Sequence, residues 1–142
     1  MNTTVKVEGL KGIEDALSQF APKLVKKAFR KAAVAATDVQ VSAAKAHAPL
    51  LKKPSKYRYP GELRDSIGAN VKVGKRGVSA RVGPRRVKGE SNQSPGAWGL
   101  MVEVGSIHGG AQPYLRPAFD ETTDQAVGAF ADVIRTEVDT IK

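Results

Sequence analysis

Ile67-Gly68-Ala69-Asn70-Val71-Lys72-Val73-Gly74-Lys75-Arg76-Gly77-Val78-Ser79-Ala80-Arg81-Val82-Gly83 is a pair of alternating runs around two cations flanked by glycines. Ile67, Ala69, Val71 and Val73 fall on one side of an extended chain, and Val78, Ala80 and Val82 repeat the period of two. The stretch therefore predicts a β-hairpin closed at Gly74–Gly77. The flanking chain has a different period. Upstream, Leu24, Ala28, Ala32, Ala36, Val39, Ala43 and Ala46 recur at three- and four-residue steps, with Lys23, Lys26, Lys27, Arg30 and Lys31 on the other side, which predicts a long helix. Pro22 suits its first turn, where a missing N–H costs nothing. Pro49 ends it, because the residue before a proline is pushed out of the helical region. The stripe is mostly alanine, so a neighbour can approach closely. Downstream, Phe119, Ala126, Phe130, Val133, Ile134, Val138 and Ile141 predict a last helix, with Asp120, Glu121 and Asp124 in its first turns, where carboxylates favour the helix dipole.

Shorter elements fill in around these. Val5 and Val7 alternate with Lys6 and Glu8 as a short strand, and Leu10, Ile13, Leu17 and Phe20 have helical spacing. Leu100, Val102 and Val104 alternate as a further short strand. Residues 50–60 read as a basic loop with two tyrosines, and residues 84–97, rich in Pro, Gly, Ser, Asn and Gln, as an exposed one. Pro113 and Pro117 punctuate the chain ahead of the last helix. The expected class is α+β: a small, mostly antiparallel sheet with one long or kinked helix and a C-terminal helix packed on it.

A chain of 142 residues fits one domain spanning 1–142 and can bury a modest core. It has no cysteine, which excludes disulfides and thiolate metal sites and suits a reducing cytosol. No apolar run approaches the ~20 residues of a membrane span, and Met1-Asn2-Thr3-Thr4-Val5-Lys6 is not the start of a signal peptide. Charge is unevenly placed. Residues 45–88 hold thirteen Lys/Arg against two Asp/Glu, whereas residues 89–142 hold three against eight. A basic middle and an acidic end suit either a polyanionic partner or a second copy of the chain.

No convergent catalytic cluster is visible, and the chain is read as non-enzymatic, with no metal and no cofactor. His47, in the last turn of the alanine-rich helix, is placed to meet the end carbonyls rather than a metal. His108, in Ser106-Ile107-His108-Gly109-Gly110, has no nucleophile-elbow context beside Ser66 or Ser106. Gly74-Lys75-Arg76-Gly77 lacks the spacing and the Lys-Ser/Thr ending of a phosphate-binding loop. The strongest binding candidates are Lys52, Lys53, Lys56, Tyr57 and Arg58, followed by Arg85, Arg86 and Lys88. Their cations can neutralise phosphates, and Tyr57 and Tyr59 suit either base stacking or a protein interface. Solvated basic loops, an acidic protein surface and nucleic acid all stay open as readings of these cations.

Several pieces, in order, resemble a known family. They are Gly61-Glu62-Leu63-Arg64-Asp65-Ser66-Ile67, the hairpin ending Val82-Gly83, Trp98-Gly99-Leu100-Met101-Val102-Glu103-Val104-Gly105-Ser106, and Gln112-Pro113-Tyr114-Leu115-Arg116-Pro117-Ala118-Phe119. Together they are similar to the small neck or tail-completion proteins, the head–tail joining subunits, of long-tailed, non-contractile bacteriophages. Val104 and Ser106 depart from the Phe and Thr common in that family, and Pro60 from its Thr. The resemblance implies a virion protein assembled in the host cytoplasm. It implies a ring of six copies between the head connector or stopper and the tail tube, with packaged DNA in the lumen. A tail-terminator capping the tube, and a DNA-binding protein acting through residues 45–88, are the alternatives.

Within these pieces Gly61, Leu63, Arg64, Ser66, Ile67, Glu103, Gly105, Pro113, Leu115, Arg116, Pro117 and Phe119 are read as structural. Leu63 and Ile67 anchor a short helical turn, and Arg64 is placed to pair with Glu103 or with a neighbouring subunit. Tyr114, Leu115 and Phe119 suit core or interface packing. Trp98 suits an interface anchor or a half-buried core position equally.

Overall fold

The computed structural model describes residues 20–52, 54, 56, 58–75, 77–85 and 94–141, together with Gly12, Asp15 and Ser18, which are helical. The expected strand at Val5–Val7 and most of the helix expected over Leu10–Phe20 lie outside the described residues. The elements in chain order are α1 (Pro22–His47), α2 (Glu62–Ser66), β1 (Ile67–Val73), β2 (Val78–Pro84), α3 (Pro95–Val104) and α4 (Leu115–Ile141). The class is α+β, as expected.

Pro22 does open α1, and Ala48, ahead of Pro49, turns to an extended conformation that closes it. Helices α1 and α4 run antiparallel, as two cross-links show: Lys31 Nζ lies 2.6 Å from Glu137 Oε1, and His47 Nε2 lies 2.8 Å from Glu121 Oε2. His47 thus reaches across to α4 rather than back to its own helix end. Around the Lys31–Glu137 link Ala28 and Ala32 pack on Ile134 and Val138. The missing side-chain bulk lets the two axes approach closely. Phe29 and Phe130 meet beside this cluster with ring centroids 5.8 Å apart and a tilted 51° geometry. The buried line on α1 is rotated from the expected stripe. It runs through Ala28, Ala32, Ala33, Thr37 and Ala44, while Leu24 is 42% exposed. The cause is that α1 packs against two partners, α4 and the hairpin, so its buried face lies between them.

The hairpin pairs antiparallel from Ile67↔Pro84 to Val73↔Val78, and the Gly74 N–H donates to the Gly77 carbonyl at 2.8 Å across the turn. It is a two-stranded sheet among the described residues. Leu100, Val102 and Val104 do not join it as a strand: they belong to helix α3, which begins at Pro95 after Ser94 and so also takes the last residues of the expected 84–97 loop. Ser-Pro at the start and Trp98, Gly99 and Val102 at steps of one and three commit this stretch to a helix.

A second cluster joins the remaining elements. Ala44 and Ala48 of α1, Leu63 of α2, Ile67 of β1, Trp98 of α3, and Tyr114 and Ala118 at the start of α4 are buried together. Gly99 is its tightest point. A Cβ there would meet Pro84 Cγ at 2.8 Å, Tyr114 Oη at 3.0 Å and Leu63 Cδ1 at 3.1 Å.

Candidate functional site

The pieces flanking the hairpin converge on this second cluster. Gly61 precedes α2 with φ 94°, a conformation that side chains other than glycine adopt only under strain. Leu63 and Ile67 are both 2% exposed, and Ser66 Oγ donates to the Leu63 carbonyl at 2.7 Å. Gly61→Ala is expected to lower stability by about 1–2 kcal/mol, read as a reduced urea midpoint at unchanged m-value.

Glu103 has a role that its spacing did not announce. Its Oε2 accepts from the Tyr114 N–H at 2.7 Å and the Leu115 N–H at 2.8 Å, and its Oε1 accepts from the Arg116 N–H at 3.0 Å. A helix start leaves several N–H groups without intrahelical partners. Here one carboxylate from α3 takes up three of them, and Pro117, inside the first turn, has none to satisfy. Pro117 is therefore the third residue of α4 rather than a break ahead of it, and Asp120, Glu121 and Asp124 fall beyond the first turn. Partial burial alone raises the Glu103 carboxyl. The three backbone donors and the Arg116 guanidinium outweigh it and hold the group below its ordinary value. Arg64 does not pair with Glu103; its Nε lies 3.3 Å from Asp65 Oδ1.

The α3–α4 junction is fixed at two further points. Gly105 (φ 86°) ends α3 and donates to the Met101 carbonyl at 2.8 Å, and the Gln112 N–H donates to the Val102 carbonyl at 2.8 Å. Pro113 is exposed and directly precedes Tyr114. Tyr114 is fully buried, and its hydroxyl donates to the Gly99 carbonyl at 3.3 Å. Burial, with a smaller contribution from the Glu103 charge, pushes its phenol up to about 12. Leu115 packs half-buried against the same cluster. Phe119 lines an open apolar cleft of about 1180 Å³ between α1, α4 and the hairpin tip.

The basic candidates separate. Lys53, Tyr57, Arg86 and Lys88 lie outside the described residues. Lys52 and Lys56 are exposed. Arg58 folds back so that its guanidinium carbon lies 4.7 Å from the centroid of the Trp98 ring. Trp98 itself is 8% exposed. Arg85 lies at the far end of β2, with its guanidinium flat over Gly68, where a Cβ would approach its Nε to 2.7 Å. His108 is exposed in a tight turn between Ser106 and Gly109, and its backbone N–H donates to Ser106 Oγ at 3.2 Å. Among the described residues no group of three or more His, Cys, Asp or Glu side chains is placed to hold a metal ion.

An alternating strand would place Leu100, Val102 and Val104 on one face; the helix separates them. Val102 turns toward the core. Leu100, Met101 and Val104 stand outward at 63%, 57% and 60% exposure, and Ile107 in the following turn is 96% exposed. Four large apolar side chains thus form one uncovered face, of the kind that marks an interaction surface. The Ser94-Pro95 helix start is the signal from which this face was recoverable.

Residues 11–95, more than half of the chain, match the family model described as "Bacteriophage HK97-gp10, putative tail-component". The chain belongs to this phage tail-component family. The matched span holds α1, α2 and the hairpin, while the Glu103 cap and the uncovered α3 face lie beyond it. No curated protein and no solved structure matches the chain. No described helix of this tail-component protein is long and apolar enough to cross a membrane.

Proposed function

We propose that this single-domain tail component is a ring-forming subunit, six copies to a ring, at the head–tail junction of the virion. There it completes the tail and joins it to the connector of the filled head. The role is one of assembly rather than catalysis. The observation that carries the reading is the uncovered face of Leu100, Met101, Val104 and Ile107. An apolar face held rigidly by a capped helix junction is suited to a partner that arrives during assembly.

A closed ring needs two different surfaces on each subunit, because its interface is heterologous. The second is supplied by the open apolar cleft, whose lining includes Phe20, Val25, Phe29, Phe119, Phe130 and Ile134. The two surfaces belong to opposite ends of the hairpin. Helix α3 packs at Pro84, whereas Gly74, Lys75 and Gly77 at the turn line the cleft.

The test is a paired substitution, Leu100→Asp with Val104→Asp. Both side chains are exposed, so circular dichroism and the thermal midpoint of the isolated protein should hardly change. Each apolar side chain buried on docking contributes about 1–2 kcal/mol, so the pair should cut yields of joined particles roughly hundredfold. Separate heads and tails should accumulate in electron micrographs. Normal joining by a well-folded double variant would sink the reading, and so would tails whose ring at this level lacks six-fold symmetry.

A further inference from the structure

We propose that the outward face of the hairpin is a contact surface for the backbone of duplex DNA. The register places Lys72 opposite Ser79, and Arg81 opposite Asn70. Lys72 and Arg81 are therefore diagonal neighbours on the face turned away from α1, about 7–8 Å apart. Lys75, at the turn, lines the apolar cleft and is not part of this row. At the other end Gly68 has no side chain, and the Arg85 guanidinium lies across it. Seven residues of strand span about 23 Å, and Lys72, Arg81 and Arg85 form a strip along most of that length.

Three observations favour a polyanion. Residues 67–85 contain no Asp or Glu. The ion pairs Lys31–Glu137, His47–Glu121, Arg64–Asp65 and Arg135–Asp132 do not use a hairpin cation. The strip also continues onto α1, because Arg85 shares a cleft with Arg30, Lys45 and a single carboxylate, Asp38. DNA is favoured over an acidic protein by what the face lacks. Its outward positions are Gly68, Asn70, Lys72, Ser79, Arg81 and Gly83, with no apolar side chain to form the dry centre of a protein interface. A polar, cationic ribbon matches a phosphate backbone, which is contacted without reading sequence.

The inference rests on the head–tail junction reading for why a duplex comes within reach, but its test does not use assembly. Binding of the full chain to a linear random-sequence duplex of about 30 base pairs is followed by fluorescence anisotropy from about 50 to 200 mM salt. Three phosphate contacts give a log–log slope of about −2.7, and hence a loss of roughly fortyfold in affinity over that range. Lys72→Gln, Arg81→Gln and Arg85→Gln should each reduce the slope by about one. The Leu100→Asp/Val104→Asp variant should bind DNA like the parent, so failure of joining and failure of DNA binding are read separately. Slopes unchanged by the three hairpin substitutions overturn the proposal. It is overturned equally if Lys52→Gln with Lys56→Gln removes the binding instead, or if the hairpin cations serve an acidic tail protein while the duplex stays unbound.

Discussion

Tyr114→Ala should destabilise the protein by roughly 3–5 kcal/mol, the range for deleting a fully buried aromatic ring. The residue is 0% exposed and stands where α1, α2, α3 and the start of α4 meet, among Ala44, Ala48, Leu63, Ile67 and Trp98. Its neighbours cannot readily close the space. Gly99 and Pro84 already touch at the limit of packing, and the α3–α4 junction is held by backbone hydrogen bonds. Such a loss is a large part of the 5–15 kcal/mol typical of a domain. Tyr114→Phe keeps the ring and removes only a long 3.3 Å hydrogen bond, so it should cost about 0.5–1 kcal/mol. Urea unfolding of both variants measures the contrast. A Tyr114→Ala protein with a midpoint close to that of Tyr114→Phe would show that this cluster is not the centre of the fold.

The hairpin and the two long helices are legible in the sequence because each has one period sustained over enough residues to separate 2 from 3.6. Within the hairpin the glycines at both ends of the turn set the register, and alternation then decides which side faces α1. Leu100–Val104 is not legible from alternation because five residues satisfy both periods. The deciding marks are Ser94-Pro95, which suit a helix start, and Gly105, which suits a helix end. A strand over that segment hides the uncovered face, since it sends Val102 and Val104 to the same side and a helix does not. Leu24 misleads for another reason. Spacing shows that a helix has a face but not that two partners share it, and the hairpin shifts the buried line of α1 toward Ala33 and Thr37. The basic loop has the composition of a free binding segment, whereas the aromatic that captures Arg58 lies forty residues downstream. Contacts across that separation leave no local pattern. Family membership is legible all the same, because the order of glycines, prolines and apolar residues records turns and caps even where their partners are hidden.

Glu103 is the clearest such hidden partner, and replacing it should have the second large effect. Its carboxylate accepts three N–H groups at the start of α4, eleven to thirteen residues away in the chain. Glu103→Ala leaves those donors without their acceptor and removes a negative charge from the positive end of the helix dipole, a loss of about 2–3 kcal/mol. Glu103→Gln retains one carbonyl acceptor and should lose about half as much. The difference between parent and Gln variant should depend on pH. Because the folded carboxyl titrates below its ordinary value of 4.5, the extra stability is fully present above that value. It is lost as pH falls through the lower, folded value. Urea unfolding at neutral pH should therefore separate the two proteins, and the gap should narrow steadily below pH 4.5. A gap that stays constant through that window would mean the charge on Glu103 contributes nothing to the helix start, and an Ala variant as stable as the parent would mean that water serves the three N–H groups equally well.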